Sequence, residues 1–374
     1  MNYKTLELMK VKLLREGINL RLYKEPVDKI GSRVTVCNGL FLEYNLGNDK
    51  RSIKVRINPK SPYFLINRDK RLQMIDEEGN VFLEEVYLKK KNINSKIFTE
   101  QLSGILAVSL YGCQLVNLGK QCNFCSSAKY LGPRFNKEEF KNELEVICAQ
   151  KPVKAITING GSFPNLQYRG YELMSNYIKI ARNLDVKEIN AELMPNPKIE
   201  MAELKNFLEK MKKDGVTSAQ FNIEIWDLEK RVEMMPYKGL IPRETYLKYI
   251  KEGSEILGKG KISSVLLIGL NSIDGLSEGS KAIMDNGGVP SLEIFRPLPG
   301  THLESFQEEY NLEEVLEITE SIRKKIYIKF NGGKNFEGCL KCGGCGVTNN
   351  YSYSKNLKNK NLFKRKQVNL IKIK

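Results

Sequence analysis

From residue 102 onward the chain alternates short apolar, β-branched runs with longer stretches whose apolar residues recur every three or four positions. The short runs at 105–111, 155–159, 188–194, 218–225, 263–270 and 291–298 are expected strands. The amphipathic stretches at 137–149, 171–183, 201–214, 243–257 and 276–286 are expected helices, with a further one at 311–328 after the last strand. Strict β-α alternation calls for a parallel sheet with right-handed crossovers, so the fold class is α/β, either an open doubly wound sheet or all or part of a barrel. A partial (β/α)6 barrel of the TIM type is the expected form. In either architecture the chemistry gathers at the C-terminal ends of the strands.

Ahead of this core, 44–85 reads as several short strands broken by Asn-Pro, Ser-Pro and Glu-Gly turns, which makes 1–100 a small α+β leader. The barrel is expected over 101–330. Asn331-Gly332-Gly333 then opens a glycine- and cysteine-rich segment over 331–354, and 355–374 is a basic tail.

Composition narrows the class. A chain of 374 residues that is 41% hydrophobic buries a large core, which excludes disordered and collagen-like classes. No apolar run approaches the ~18 to 20 residues that cross a bilayer. The first 20 residues mix Lys, Glu and Arg without an apolar segment, so no signal peptide is expected there and a cytoplasmic location follows. Net charge is +16, and the tail from 355 holds eight basic residues and no acidic one, half of the excess. The tail reads first as a solvated end and second as a dock for nucleic acid or a carrier protein. Nucleic-acid binding needs stacking aromatics or a recognition module besides charge, and Phe363 is the tail's one aromatic.

Cysteines carry the candidate chemistry. In a reducing compartment they are thiols or metal ligands. Cys113, Cys122 and Cys125 form C-x8-C-x2-C, and Cys339, Cys342 and Cys345 form C-x2-C-x2-C. Cys37 and Cys148 stand alone and read as small buried hydrophobes. His302 is the single histidine, in a loop, and reads as a surface or packing residue. Structural zinc needs four ligands, which neither group offers with Cys and His. Two iron-sulfur clusters, each with one iron open to another ligand, fit better. The first group follows the first strand, where a barrel builds its active site.

From these residues the chain resembles the radical SAM superfamily. Cys122 and Cys125 keep the superfamily's closing C-x2-C with aromatic Phe124 before the last cysteine, while the first gap is eight residues instead of three. Gly160, Gly161 and Ser162 after the second strand resemble the glycine motif that receives the amino group of S-adenosylmethionine, with Ser162 where the family has Glu. Glu192 ends the third strand and is a cofactor contact or a structural ion pair. Asn222 and Glu224, expected on one side of the fourth strand, resemble a ribose-binding pair. Ile268 and Gly269 lie in a fifth-strand segment similar to the one that packs on adenine. Arg243 and Lys238 are candidates for the cofactor carboxylate, or solvated charges at a helix start. Met235-Pro236-Tyr237-Lys238, Arg296-Pro297-Leu298-Pro299-Gly300-Thr301 and the closing Gly338 to Cys345 motif resemble a biotin-synthase-related subgroup often encoded beside nitrilases.

The resemblance implies two 4Fe-4S clusters and S-adenosylmethionine, cleaved by one electron to a 5'-deoxyadenosyl radical that abstracts hydrogen from a small-molecule or carrier-bound substrate. It implies a one-electron reductant such as a ferredoxin or flavodoxin. Three roles stay open for the second group: sulfur donor, as in lipoyl and biotin synthases, substrate anchor, or electron relay. The rival class is an RNA- or nucleic-acid-interacting iron-sulfur protein, or a tRNA-modifying member. The helix at 311–328 ends at the face where strands begin, and an extended run of about nine residues spans roughly 30 Å, so the second group is expected to climb back over the open face.

Overall fold

The computed structural model describes residues 3–348 except 24–30, 33–38, 47–48, 69–70, 89–92, 94, 103, 128–131, 133 and 307–309. Cys37 and the basic tail lie outside the described residues. Helix α1 (Tyr3–Glu16) opens the leader. Strands β1 (Gly31–Ser32), β2 (Gly39–Leu46), β3 (Asp49–Arg56) and β7 (Val86–Leu88) form one antiparallel sheet, and β4 (Phe64–Arg68), β5 (Arg71–Ile75) and β6 (Val81–Leu83) form another.

The barrel sheet has seven strands: β8 (Thr99–Leu102), β9 (Ile105–Ser109), β10 (Ala155–Asn159), β11 (Glu188–Glu192), β12 (Ser218–Gln220), β13 (Ile262–Ile268) and β14 (Val289–Ile294). They lie in sequence order. β9 to β14 are parallel, as the alternation requires, and β8 adds an antiparallel strand at the β9 edge. The sheet runs from β8 to β14 without closing on itself, which makes a partial barrel.

The short α2 (Gln114–Asn117) follows β9, and α3 (Lys137–Gln150), α4 (Tyr171–Asn183) and α5 (Met201–Asp214) cover the sheet, followed by α6 (Leu228–Met234), α7 (Arg243–Leu257), α8 (Ile273–Asp285) and α9 (Leu312–Lys329). Local signals set their ends. Asn136 caps α3 in a capping box with Glu139. α5 stops at Gly215, whose φ of +114° favours glycine. No helix among the described residues is long and apolar enough to cross a membrane.

Strand periodicity divides the core. Ile156, Ile158, Ile189, Leu266 and Leu292 are buried in the layer between sheet and helices. The alternate positions, Thr157 and Asn159, Asn190 and Glu192, Ser218 and Gln220, Ser291 and Glu293, face the interior. A barrel filled for stability carries bulky Val, Ile and Leu there. This interior is polar instead, which leaves hydrogen-bonding handles for bound groups.

The expected strand at 218–225 is broken. Gln220 pairs with Ser263, yet Glu224 bridges Leu266, so one extra residue sits on the first strand. The bulge puts Glu224 at φ +66°, and the Asn222 side chain accepts a 3.1 Å hydrogen bond from Val265 N. Asn222 and Glu224 therefore do not share one regular strand face.

The leader packs on the barrel's last strand and last helix. Buried Glu7 of α1 pairs with buried Arg323 of α9 at 2.9 Å, and Arg323 also donates to the Val347 carbonyl at 2.6 Å. Arg56 of β3 donates to the Pro297 carbonyl at 2.7 Å. Arg323→Ala leaves the Glu7 carboxylate buried without this partner and is expected to cost about 3–5 kcal/mol in thermal or chemical denaturation. A loss near zero would mean that the leader docks without this pair.

The C-terminal segment does not climb to the open face. Its expected course is overturned by side chains that hold it where strands begin: Glu337 bonds Thr217 and Lys261, the residues just before β12 and β13, and Lys341 pairs with Glu188, the first residue of β11. Helix α10 (Gly338–Cys342) starts against Asn190, where a Cβ on Gly338 would lie 2.6 Å from the Asn190 side chain. The chain then passes between β14 and the leader: Gly346 bridges Glu293, Val347 N donates to the Leu292 carbonyl, and Lys54 N to that of Gly344.

Candidate active site between two cysteine loops

The first loop is fastened at the end of β9. Gly161 makes this possible: its φ is +73°, and a Cβ there would come within 2.4 Å of the Gly112 carbonyl oxygen. Gln114 N donates to the Ser162 carbonyl, tying loop to loop. The long first gap folds into one helical turn, α2, with Leu115 buried beneath it, and Lys120 N closes back on the Leu115 carbonyl. That turn takes up the extra residues and returns the chain to Cys122. Gly161→Ala is expected to displace the loop, with a loss of about 1–3 kcal/mol and of iron bound there, read by denaturation and iron analysis. Unchanged iron and stability would show that the loop does not depend on this contact.

Cys122 sits in an apolar nest of Ile225, Met234, Met235, Leu270, Phe295 and Leu303, with Phe124, Cys125 and Leu267 beside it. Asn123 N donates to the Met234 carbonyl, and Leu303 N to that of Asn123, so the end of α6 and the loop after β14 clamp this one. Burial pushes the Cys122 thiol well up, and Cys125 up to about 11. Buried this way, the Cys122 and Cys125 thiols become thiolates only against a cation, and Cys113 lies close enough to act on both. That donor set suits an iron-sulfur cluster, and Cys113, Cys122 and Cys125 would hold it.

Beside Cys122 lies a half-buried ion pair, Lys238 to Glu224 at 2.8 Å. Burial works against the Lys238 charge, yet Glu224 outweighs it and raises the lysine's pKa. Lys238 is therefore not the solvated charge at a helix start that its position in the sequence allows. Arg243 lies over the Trp226 ring at 4.3 Å and donates to the Trp226 carbonyl.

The second loop enters the same interior from below. The Glu192 carboxylate accepts from Asn159 Nδ2 at 2.7 Å on one side and from Cys339 Sγ at 3.6 Å on the other. Burial raises its pKa, opposed by those two hydrogen bonds. Glu293 is likewise raised by burial, against the opposing charge of Arg296. Cys342 is pushed up to about 12 by burial and the neighbouring Cys345, and Cys339 is raised by burial and Glu192. Cys339, Cys342 and Cys345 form a second donor set of the same chemistry. Among the described residues no group of Cys, His, Asp and Glu is gathered as a site for one metal ion. A polynuclear cluster spreads its thiolates over several irons and needs a wider set.

The structure thus brings Cys113, Cys122, Cys125, Phe124, Glu224 and the Gly160-Gly161-Ser162 turn to one end of the barrel. Glu192 lies between the cysteine loops. Ile268 belongs instead to the layer under the helices, while its neighbour Leu267 packs by Cys122. Gly269 turns the chain at φ +97°. Sequence reasoning missed Asn159 and Glu293. His302, read as a surface or packing residue, is exposed, with its Nδ1 3.0 Å from Asn123 Oδ1. For Asn159 and Glu293 the signal was available: a polar residue on the inward register of an otherwise apolar strand.

No family model matches the chain. Bacteriochlorophyllide c C-7(1)-hydroxylase of Chlorobaculum limnaeum is 24% identical over 237 residues, covering 59% of this chain and 58% of that protein. The chain spans less than two thirds of that relative's length. Among solved structures, methylornithine synthase (PylB) covers 62% of this chain and 63% of its own, with 16% identity and a TM-score of 0.44. The radical S-adenosylmethionine methyltransferase TsrM from Kitasatospora setae covers 51% and 36%, with 14% identity and a TM-score of 0.37. Likeness at those scores carries nothing about the site.

Proposed function

We propose that this chain is a radical SAM enzyme that abstracts hydrogen from a small-molecule or carrier-bound substrate held between two iron-sulfur clusters. The observation that carries it is the pair of three-cysteine loops entering one polar barrel interior from opposite ends, with Glu192 bonded to Asn159 at the end of β10 and to Cys339 of the second loop. When bound, the first cluster supplies the electron that cleaves S-adenosylmethionine.

The chain's own residues do the rest. Cys113, Cys122 and Cys125 hold that cluster, and the apolar nest around Cys122 keeps water from it. Lys238, kept charged by Glu224, offers a positive group beside it. Asn159, Glu192 and Glu293 line the space below and orient the substrate by hydrogen bonds. Cys339 bonds Glu192 in that same interior, which favours a second cluster in contact with substrate, as sulfur donor or anchor, over a distant electron relay. A ferredoxin or flavodoxin is the reductant in this reading. A reducing compartment, the cytoplasm, suits cysteines kept as metal ligands.

The relative's name favours a second reading of the outcome, hydroxylation in place of sulfur insertion. One experiment separates them. The anaerobically reconstituted protein, given S-adenosylmethionine, reductant and candidate substrates, is followed by mass spectrometry. Formation of 5'-deoxyadenosine supports the class, and its absence from fully loaded protein ends it. A product heavier by one sulfur or by one oxygen distinguishes the two outcomes.

A further inference from the structure

Two lysines of the N-terminal leader are buried against the C-terminal cysteine loop. Lys54 on β3 and Lys10 on α1 are each 1% exposed. Lys10 Nζ donates to the Gly343 carbonyl at 2.9 Å. Lys54 Nζ is buried with no hydrogen-bond partner. Its charge acts on Cys342 and on Glu293, yet it forms no ion pair with either. The backbone around it is fastened to the loop: Lys54 N donates to the Gly344 carbonyl, and Ser52 Oγ to that of Cys342, both at 2.9 Å. A Cβ on Gly344 would lie 2.5 Å from Phe41 of β2, so leader and loop are in direct contact.

A buried ammonium is retained where an anion faces it, because desolvation of an unpaired charge opposes folding. Three thiolates outweigh the positive charge of an oxidised 4Fe-4S core, so the assembled group is anionic. We propose that Lys54, with Lys10 beside it, is the counter-charge of the group held by Cys339, Cys342 and Cys345, and sets its reduction potential. This rests on the reading that the loop holds a cluster. The leader is then half of the second site, and Lys54 is a positioning and tuning residue that ligates no iron. Net charge around a cluster is one of the levers on its potential, and losing a positive neighbour makes reduction harder.

The test uses the full chain with Cys113, Cys122 and Cys125 replaced by Ala, so that only the second group is loaded, and compares Lys54→Met and Lys54→Arg with that parent. Without iron, Lys54→Met is expected to raise the melting temperature, since it removes an unpaired buried charge. With iron, an EPR-monitored redox titration is expected to give a more negative midpoint for Lys54→Met and a return toward the parent for Lys54→Arg. A folded Lys54→Met that no longer retains iron, while Lys54→Arg does, supports the same role. An unchanged midpoint in loaded Lys54→Met overturns it, as does a lowered melting temperature without iron. Failure of the parent itself to take up iron would overturn the cluster reading instead, and is distinguished by iron analysis before any titration.

Discussion

Cys122→Ala is expected to abolish 5'-deoxyadenosine formation while leaving iron on the second loop. The side chain is 8% exposed at the centre of the apolar nest, so its replacement by a methyl group loses a ligand and little packing. The loop's path does not depend on the sulfur. It is fixed by backbone bonds, Asn123 N to the Met234 carbonyl and Cys125 N to that of Cys122. With two thiols left, the first cluster lacks a protein ligand and cleavage should fall to background. The second loop is fastened separately, through Thr217, Lys261 and Glu188 at the far end of the strands. Iron should therefore drop by about half, from the ~eight per chain that two 4Fe-4S clusters carry. A variant that still cleaves S-adenosylmethionine would exchange the roles of the two cysteine groups.

Where local physics decides, the sequence reads well. The strand at 155–159 and the helices at 171–183, 201–214 and 243–257 stand where the apolar period puts them, because one face of each must be buried. The misses share a cause. β8 is four residues long and pairs antiparallel across the tight turn at Gly104, with no alternation long enough to read. The bulge at Asn222 answers a need of another strand, the Val265 N–H left without a backbone acceptor, which no local pattern records. Lys238 looks like a surface charge until Glu224, fourteen positions earlier, is brought to it by that same bulge. The C-terminal loop is the largest case: chain reach allowed either end of the barrel, and Thr217, Lys261 and Glu188, far away in sequence, selected the lower one.

That lower position bears on the role proposed for the second loop. Cys342→Ala is expected to stop product formation while 5'-deoxyadenosine continues to appear. Cys342 is 7% exposed, in the short helix α10, and its carbonyl accepts from Ser52 Oγ, a bond that the substitution leaves in place. The loop should keep its course and lose one of three thiols. Nothing of the first loop is touched: Cys339 Sγ donates to Glu192, and Glu192 accepts in turn from Asn159 at the end of β10, not from a residue of the first cysteine loop. The two events therefore uncouple. Cleavage proceeds at the upper end, but the substrate finds at the lower end neither a sulfur source nor an anchor. Liquid chromatography of 5'-deoxyadenosine against mass spectrometry of the product gives the ratio directly: near one for the parent in a single-hydrogen reaction, and rising without limit as product disappears in the variant. If product yield is unchanged, the second loop is structural. If cleavage stops along with product, the second group feeds electrons to the first, and the electron-relay role replaces contact with the substrate.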